Sequence, residues 1–168
     1  MRRALFLDRD GTLIRNEPYR DTPKGMKLLP NVARGLRAWI DSGFTPVIVT
    51  NQSGLARGLF TRKSLERIHA RLLELLRRRD VKIEAVYVCP HLPEGTVRRY
   101  ARSCECRKPK AGLIRRAARE LGLDLQRSVT IGDSPRDVAA GRKAGTRTIL
   151  LGTDAKDLLD AHRKWSRP

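Results

Sequence analysis

A chain of 168 residues has room for one α/β core and little more, since single cores run to about 100–200 residues before they split. No run approaches the ~18 consecutive apolar residues of a membrane span, and Met1-Arg2-Arg3 leads into a strand-like segment instead of a signal-peptide core, so a cytoplasmic protein without membrane contact is expected. The formal charge of +18 attracts anions, but aromatic residues make up only 5% and the arginines are scattered over predicted helices, which argues for solvated helix faces and against a specific nucleic-acid surface.

Strand-length apolar runs alternate with helix-period segments, the pattern of a parallel α/β sheet. The first strand covers 4–7 and ends at Asp8. Pro30 and Asn31 open a helix with Val32, Leu36, Trp39 and Ile40 on one face, Asn31 as its cap and Gly43 as its terminator. A second strand over 45–49 ends at Thr50, and Thr61 then caps a long helix carrying Leu65, Ile68, Leu72 and Leu76 at helical spacing. A third strand, 85–88, ends at Cys89. Residues 89–108 are irregular, polar and Pro-bearing, so they need a source of order other than a core. A helix over about 111–121 stops at Gly122, and a fourth strand over 129–131 runs into Gly132-Asp133. A helix over 135–144, with Pro at its first position and Gly145 behind it, leads to a last strand at 148–151. The expected fold is a three-layer α/β sandwich around a parallel five-stranded, Rossmann-like sheet, one domain over 1–168.

In an open parallel sheet, ligands bind beyond the carboxyl ends of the strands, and Asp8, Thr50, Cys89 and Asp133 all sit at such ends. In Asp8-Arg9-Asp10-Gly11-Thr12, residues two apart in extended chain face the same way, so Asp8 and Asp10 address one site while Gly11 lets the backbone turn. Gly132-Asp133-Ser134-Pro135-Arg136-Asp137 brings further carboxylates to the same edge. Carboxylates gathered in one cleft repel each other and call for a cation, and hard oxygen ligands suit Mg²⁺. Thr50-Asn51 and Arg107-Lys108 supply a hydroxyl, backbone amides and an ammonium, the groups that a phosphoryl group needs. Gly54 to Gly58 lacks the lysine of a nucleotide-binding P-loop, and neither Cys89 nor Cys104 has an arginine six residues on, so the available nucleophile is a carboxylate.

These pieces together resemble the haloacid dehalogenase superfamily, whose motifs are Asp-x-Asp-Gly-Thr, a strand-ending Thr or Ser, a Lys, and Gly-Asp-x-x-x-Asp. The resemblance spans essentially the whole chain. It implies a phosphomonoester hydrolase in which Asp8 is phosphorylated and Asp10 acts as acid and then base. Mg²⁺ would be held by Asp8, the Asp10 carbonyl and Asp133, with Thr50 and Lys108 on the phosphoryl group. Only a short loop separates Thr12 from Val32, so the enzyme is expected to be capless.

Cys89-Pro90-His91 and Cys104-Glu105-Cys106 offer three thiolates and an imidazole, a complete tetrahedral set for zinc in a loop over 89–106. With every position filled by protein the ion would be structural, holding Lys108 in the cleft. The loop is similar to that of the branch containing the heptose 1,7-bisphosphate and histidinol-phosphate phosphatases, and the run from Asn51 to Gly58 resembles the heptose enzymes. On that resemblance Asn16, Glu17, Pro18, Tyr19, Thr50, Asn51, Gln52, Ser53 and Arg107 touch substrate. Ser134 stands where the heptose enzymes usually carry lysine. The expected activity is removal of the 7-phosphate from D-glycero-D-manno-heptose 1,7-bisphosphate by a monomer; histidinol-phosphate and nucleic-acid 3′-phosphate hydrolysis are the alternatives.

Overall fold

The computed structural model describes residues 1–166. Five parallel strands, β1 (Arg2–Leu7), β2 (Phe44–Asn51), β3 (Ala85–Cys89), β4 (Leu123–Gly132) and β5 (Arg147–Leu150), form one sheet in the order β3-β2-β1-β4-β5. Side chains alternate across the sheet, so each strand feeds two cores. Leu5, Leu7 and Ile48 face a layer built by α1 (Val32–Asp41), α2 (Arg62–Arg77) and α5 (Leu158–Trp165). Ala4, Phe6, Val47 and Val49 face α3 (Gly112–Leu121) and α4 (Pro135–Ala144). The three-layer α/β sandwich is therefore as expected. Among the described residues, no helix is long and apolar enough to cross a membrane.

Most local signals work as expected. Thr61 accepts from Ser64 N at 3.1 Å to cap α2, and α4 opens with a capping box between Ser134 and Asp137 plus Pro135 in its first turn. Asn31 is the exception. Its φ of 60° takes it out of the extended conformation that capping requires, and its Nδ2 instead donates to Asp157 Oδ2 at 2.8 Å. Asn31 thus ties the start of α1 to the cap of α5, a helix that the apolar pattern left unread.

The fourth strand begins six residues earlier than its apolar core suggested, because Leu123 and Asp124 already pair with Arg2 and Arg3. The pairing shifts register between Arg3 and Leu5, and Ser128 Oγ accepts the Ala4 amide at 2.8 Å in the gap. Residues 15–27 form a loop with no inserted domain. Buried Arg20 staples it, donating to the Thr22 and Lys24 carbonyls at 3.2 and 2.9 Å and pairing with Glu17.

Gly35 sits mid-helix in α1 where α5 crosses, and a Cβ there would lie 2.7 Å from the Leu158 carbonyl carbon and the Leu159 nitrogen. Backbone cannot yield as a side chain can. Gly35→Ala should therefore reverse the usual gain of about 1 kcal/mol from removing a helical glycine and cost roughly 1–3 kcal/mol, read by denaturant unfolding. A stabilised variant would show that α5 is not packed this closely.

Candidate active site

The strand order reverses at β1, since the chain moves outward through β2 and β3 and then returns to place β4 on the other side. Such a switch point opens a crevice at the carboxyl edge. Asp8 follows β1, its amide donating to the Ile131 carbonyl of β4 at 3.1 Å, and Asp133 follows β4. Gly11 has φ +79°, and any Cβ on it would collide with the Asp133 carboxylate; a side chain at Gly132 would likewise collide with Asp137. Two glycines thus let three carboxyls crowd together, with oxygens of Asp8, Asp133 and Asp137 within 4.8 Å of one another.

Like charges at 4 Å cost about 4 kcal/mol at an effective dielectric of 20. One ammonium offsets part of this. Lys108, 3% exposed, places Nζ 2.6 Å from Asp8 Oδ1, 2.6 Å from Asp137 Oδ1 and 2.8 Å from the Val49 carbonyl. Burial pulls its pKa down, but Asp8 and Asp137 outweigh burial and hold it above the usual lysine value. Asp133 shows what remains uncompensated. Burial, then Asp8 and Asp137, push its carboxyl up to about 6. Burial raises Asp137 too, with Lys108 opposing.

Lys108 comes from a segment without regular structure, so other contacts must place it. Asn51, at the end of β2, donates Nδ2 to the Lys108 carbonyl at 3.0 Å and accepts the Lys108 amide on Oδ1 at 3.1 Å. This double bond pattern makes Asn51 a backbone clamp, with its amide occupied by Lys108. On the other side, Gln52 Nε2 donates to both Thr50 Oγ1 and Asp10 Oδ2 at 2.9 Å.

The resulting cleft has a volume of about 310 Å³ and is lined by Asp8, Asp10, Asn16, Glu17, Pro18, Tyr19, Thr50, Asn51, Gln52, Ser53, Lys108 and Asp133 among others. Arg107 does not line it: its Nη1 donates to the His91 carbonyl at 3.2 Å, turning the guanidinium toward the cysteine loop. Arg9, Gly54, Ser134, Arg136 and Asp137 also line the cleft, beyond the residues expected to hold substrate or metal. Asp137, one of the carboxylates expected at this edge, pairs with Lys108 from a separate segment. Arg136 projects at the cleft with Nε 3.0 Å from Ser134 Oγ, and Arg9 folds back onto Asp10.

Three sulfurs and one imidazole meet at the base of the 89–106 loop. Cys106 Sγ lies 3.1 Å from Cys89 Sγ and 3.4 Å from Cys104 Sγ, and His91 Nδ1 is 3.3 Å from Cys106 Sγ. The thiols are free, and the hydrogen bond shared between Cys106 and Cys89 holds Cys106 down to about 5 while pushing Cys89 up. A thiolate among soft donors fits a tetrahedral ion such as zinc. The carboxyl cluster fits a different ion. Three carboxylates against one ammonium leave net negative charge on hard oxygens, which suits a divalent cation of the Mg²⁺ type.

Comparisons with known proteins place the chain among phosphatases. A HAD-hydrolase-like family profile matches residues 105–168. The D-glycero-β-D-manno-heptose-1,7-bisphosphate 7-phosphatase of Rhodopseudomonas palustris is 40% identical over 144 residues, covering 86% of this chain and 80% of that protein. The enzyme of the same name from Escherichia coli K12 is 36% identical over 155 residues, covering 92% and 81%. Among solved structures, the D,D-heptose 1,7-bisphosphate phosphatase of B. bronchiseptica, complexed with magnesium and phosphate, superposes with a TM-score of 0.84 at 29% identity, covering 97% of each chain.

The geometry around Lys108 generates a stability prediction. Lys108→Met leaves Asp8 and Asp137 buried without their cation, so the metal-free protein should lose roughly 3–5 kcal/mol at neutral pH. The loss should shrink on acidification, as Asp133 and Asp137, both raised above their unfolded pKa, take up protons and the cluster no longer needs the ammonium. Urea unfolding of both proteins at two pH values checks this, and a pH-independent difference would contradict it.

Proposed function

Because the chain belongs to the haloacid dehalogenase family of phosphatases, we propose that it removes one phosphate from a small sugar bisphosphate, the 7-phosphate of D-glycero-D-manno-heptose 1,7-bisphosphate. One observation carries the chemistry: Asp8, Asp10, Thr50, Lys108 and Asp133 converge on one cleft at the switch point of the sheet. An Asp8 carboxylate oxygen attacks phosphorus, forming an O–P bond as the bond to the sugar oxygen breaks. Asp10 gives its proton to that leaving oxygen. Water then attacks the aspartyl phosphate, passing a proton to Asp10 and returning Asp8 with inorganic phosphate. Thr50 Oγ and the Lys108 ammonium align the transferred group, and Lys108 donates to Asp8 Oδ1 to hold the carboxylate in place. A Mg²⁺ ion held by Asp8, Asp133 and the Asp10 carbonyl would supply charge neutralisation for the phosphoryl oxygens.

The sugar assignment rests on the names of the relatives and on the cleft. Its volume of about 310 Å³ and its walls of Asn16, Glu17, Tyr19 and Ser53 suit a polar molecule of a few carbons. Arg136, on the hydroxyl of Ser134, takes the second phosphate in place of the lysine expected one residue after Asp133. Action as a cytoplasmic monomer in carbohydrate metabolism, with 1–168 as one unit and the Cys89, His91, Cys104 and Cys106 site holding structural Zn²⁺, belongs to the same proposal. The charge of +18 favours the rival, a nucleic-acid 3′-phosphatase.

Metal content tests the two sites separately. Purified protein should contain about one zinc per chain and still require added Mg²⁺ for turnover. Absence of zinc by elemental analysis, or full activity with zinc alone, would reject this division.

Catalytic efficiency across a salt series separates the substrates. A polyanion engaging many phosphates should lose affinity with a log–log slope of about −0.7 per contacted phosphate, whereas the sugar bisphosphate should respond weakly. The sugar should be the better substrate at physiological salt, and Asp8→Asn should lower turnover on the order of 10⁴-fold or more with the fold intact. A 3′-phosphorylated oligonucleotide turned over faster at that salt would overturn the sugar assignment, and an active Asp8→Asn would remove the nucleophile.

A further inference from the structure

The two oxygens of the Asp10 carboxyl have unequal surroundings. Oδ2 accepts from Arg9 Nη2 at 2.8 Å, Arg9 Nε at 3.0 Å and Gln52 Nε2 at 2.9 Å. Oδ1 is buried and has no hydrogen-bond partner. The orientation of the carboxyl therefore depends on the donors at Oδ2 alone, two of which come from one guanidinium.

That guanidinium is fixed from outside the motifs. Arg9 is 1% exposed, and with Nε and Nη2 committed to Asp10 its remaining terminal nitrogen, Nη1, lies 3.1 Å from His69 Nε2. Arginine offers only donors, so His69 must accept through Nε2 and carry its own proton on Nδ1. Burial first, and Arg9 second, hold the His69 pKa down to about 4, in keeping with a neutral ring. His69 stands on α2 next to the buried stripe of Leu65, Ile68 and Leu72, so its backbone is anchored by a core helix. A continuous chain of hydrogen bonds then runs from α2 through His69, Arg9, Asp10 and Gln52 to the Thr50 hydroxyl.

We infer that His69 is a positioning residue for proton transfer: its ring nitrogen holds the Arg9 fork square on Asp10 Oδ2, and through that fork sets the aim of the carboxyl at the leaving oxygen. Without an acceptor at position 69, Nη1 becomes a buried donor lacking a partner, and the fork rotates to seek one. The inference rests on Asp10 being the acid of the proposed reaction.

A misaimed acid matters most when the leaving oxygen is strongly basic. An alkyl phosphate needs its leaving oxygen protonated, whereas p-nitrophenolate departs well without a proton. The efficiency kcat/KM covers the steps through leaving-group departure only, so it isolates proton donation from later hydrolysis of the aspartyl phosphate. His69→Leu should lower kcat/KM for the sugar bisphosphate about ten- to a hundredfold, a fraction of what general acids supply, and leave p-nitrophenyl phosphate within about twofold. His69→Gln, whose amide oxygen can accept from Arg9, should restore most of the loss. His69→Ala, with the best helix former, replaces the leucine variant if that one fails to fold. Asp10→Asn serves as the reference and should show the same selective loss, larger in size. If Asp10→Asn is selective and the His69 variants are unaffected, or affected equally on both substrates, the positioning role is wrong. If Asp10→Asn itself impairs both substrates equally, the acid assignment fails instead.

Discussion

Crowding of like charge at the carboxyl edge of the sheet is the constraint on which the rest of this molecule depends. Three carboxyls within 4.8 Å of one another would push each other apart or take up protons unless something positive stood among them. Lys108 is that group, and its placement satisfies all three donor directions of the ammonium on Asp8, Asp137 and the Val49 carbonyl. The glycines at 11 and 132 serve the same constraint from the opposite side, by removing the side chains that would keep the carboxyls apart. The carboxyl cluster is therefore assembled by close approach and held by the buried Lys108 ammonium, and the charge left over would suit a divalent ion.

Delivery of that cation explains the irregular segment between β3 and α3. A lysine on a flexible loop would lose considerable side-chain and backbone entropy on entering the cleft. Here the loss is met locally. The Cys89, His91, Cys104 and Cys106 cluster closes the loop two residues before Lys108, Asn51 grips the Lys108 backbone on both its amide and carbonyl, and the Gln52 amide bonds the Cys89 carbonyl at 2.8 Å. Strand end, thiol cluster and lysine thus form one mechanical unit. Arg107 belongs to this unit too, because its guanidinium is turned onto the His91 carbonyl.

The arginine excess divides into two populations with different physics. Arg62, Arg78 and Arg116 make exposed pairs with carboxylates one helical turn away, which solvent screens so that they contribute little to stability. Arg9 and Arg20 are buried and organise chain segments through several directed bonds apiece. The second population shapes the walls of the cleft, Arg20 by stapling the loop that carries Asn16 to Tyr19 and Arg9 by gripping Asp10. A total charge says nothing about which arginines belong to which group.

The amino-acid sequence by itself determined the alternating strands and helices, the residues at the strand ends, and the Cys89/His91 and Cys104/Cys106 pairs, because those signals are local: apolar period, Pro and Gly punctuation, and donors a few residues apart. It also carried the reading of Asp8, Asp10, Thr50, Lys108 and Asp133 as one site, since parallel strands must bring their carboxyl ends to one edge. Only the tertiary structure decided what each polar side chain does once there. Asn31 trades its cap for a bond to Asp157, Asn51 holds a backbone, Arg107 leaves the cleft, and Arg9 reaches His69 across 60 residues of sequence. Hydrogen-bond partners of that kind depend on which helix passes over which strand end, a relation set by packing of the two cores, and no periodicity along the chain encodes it.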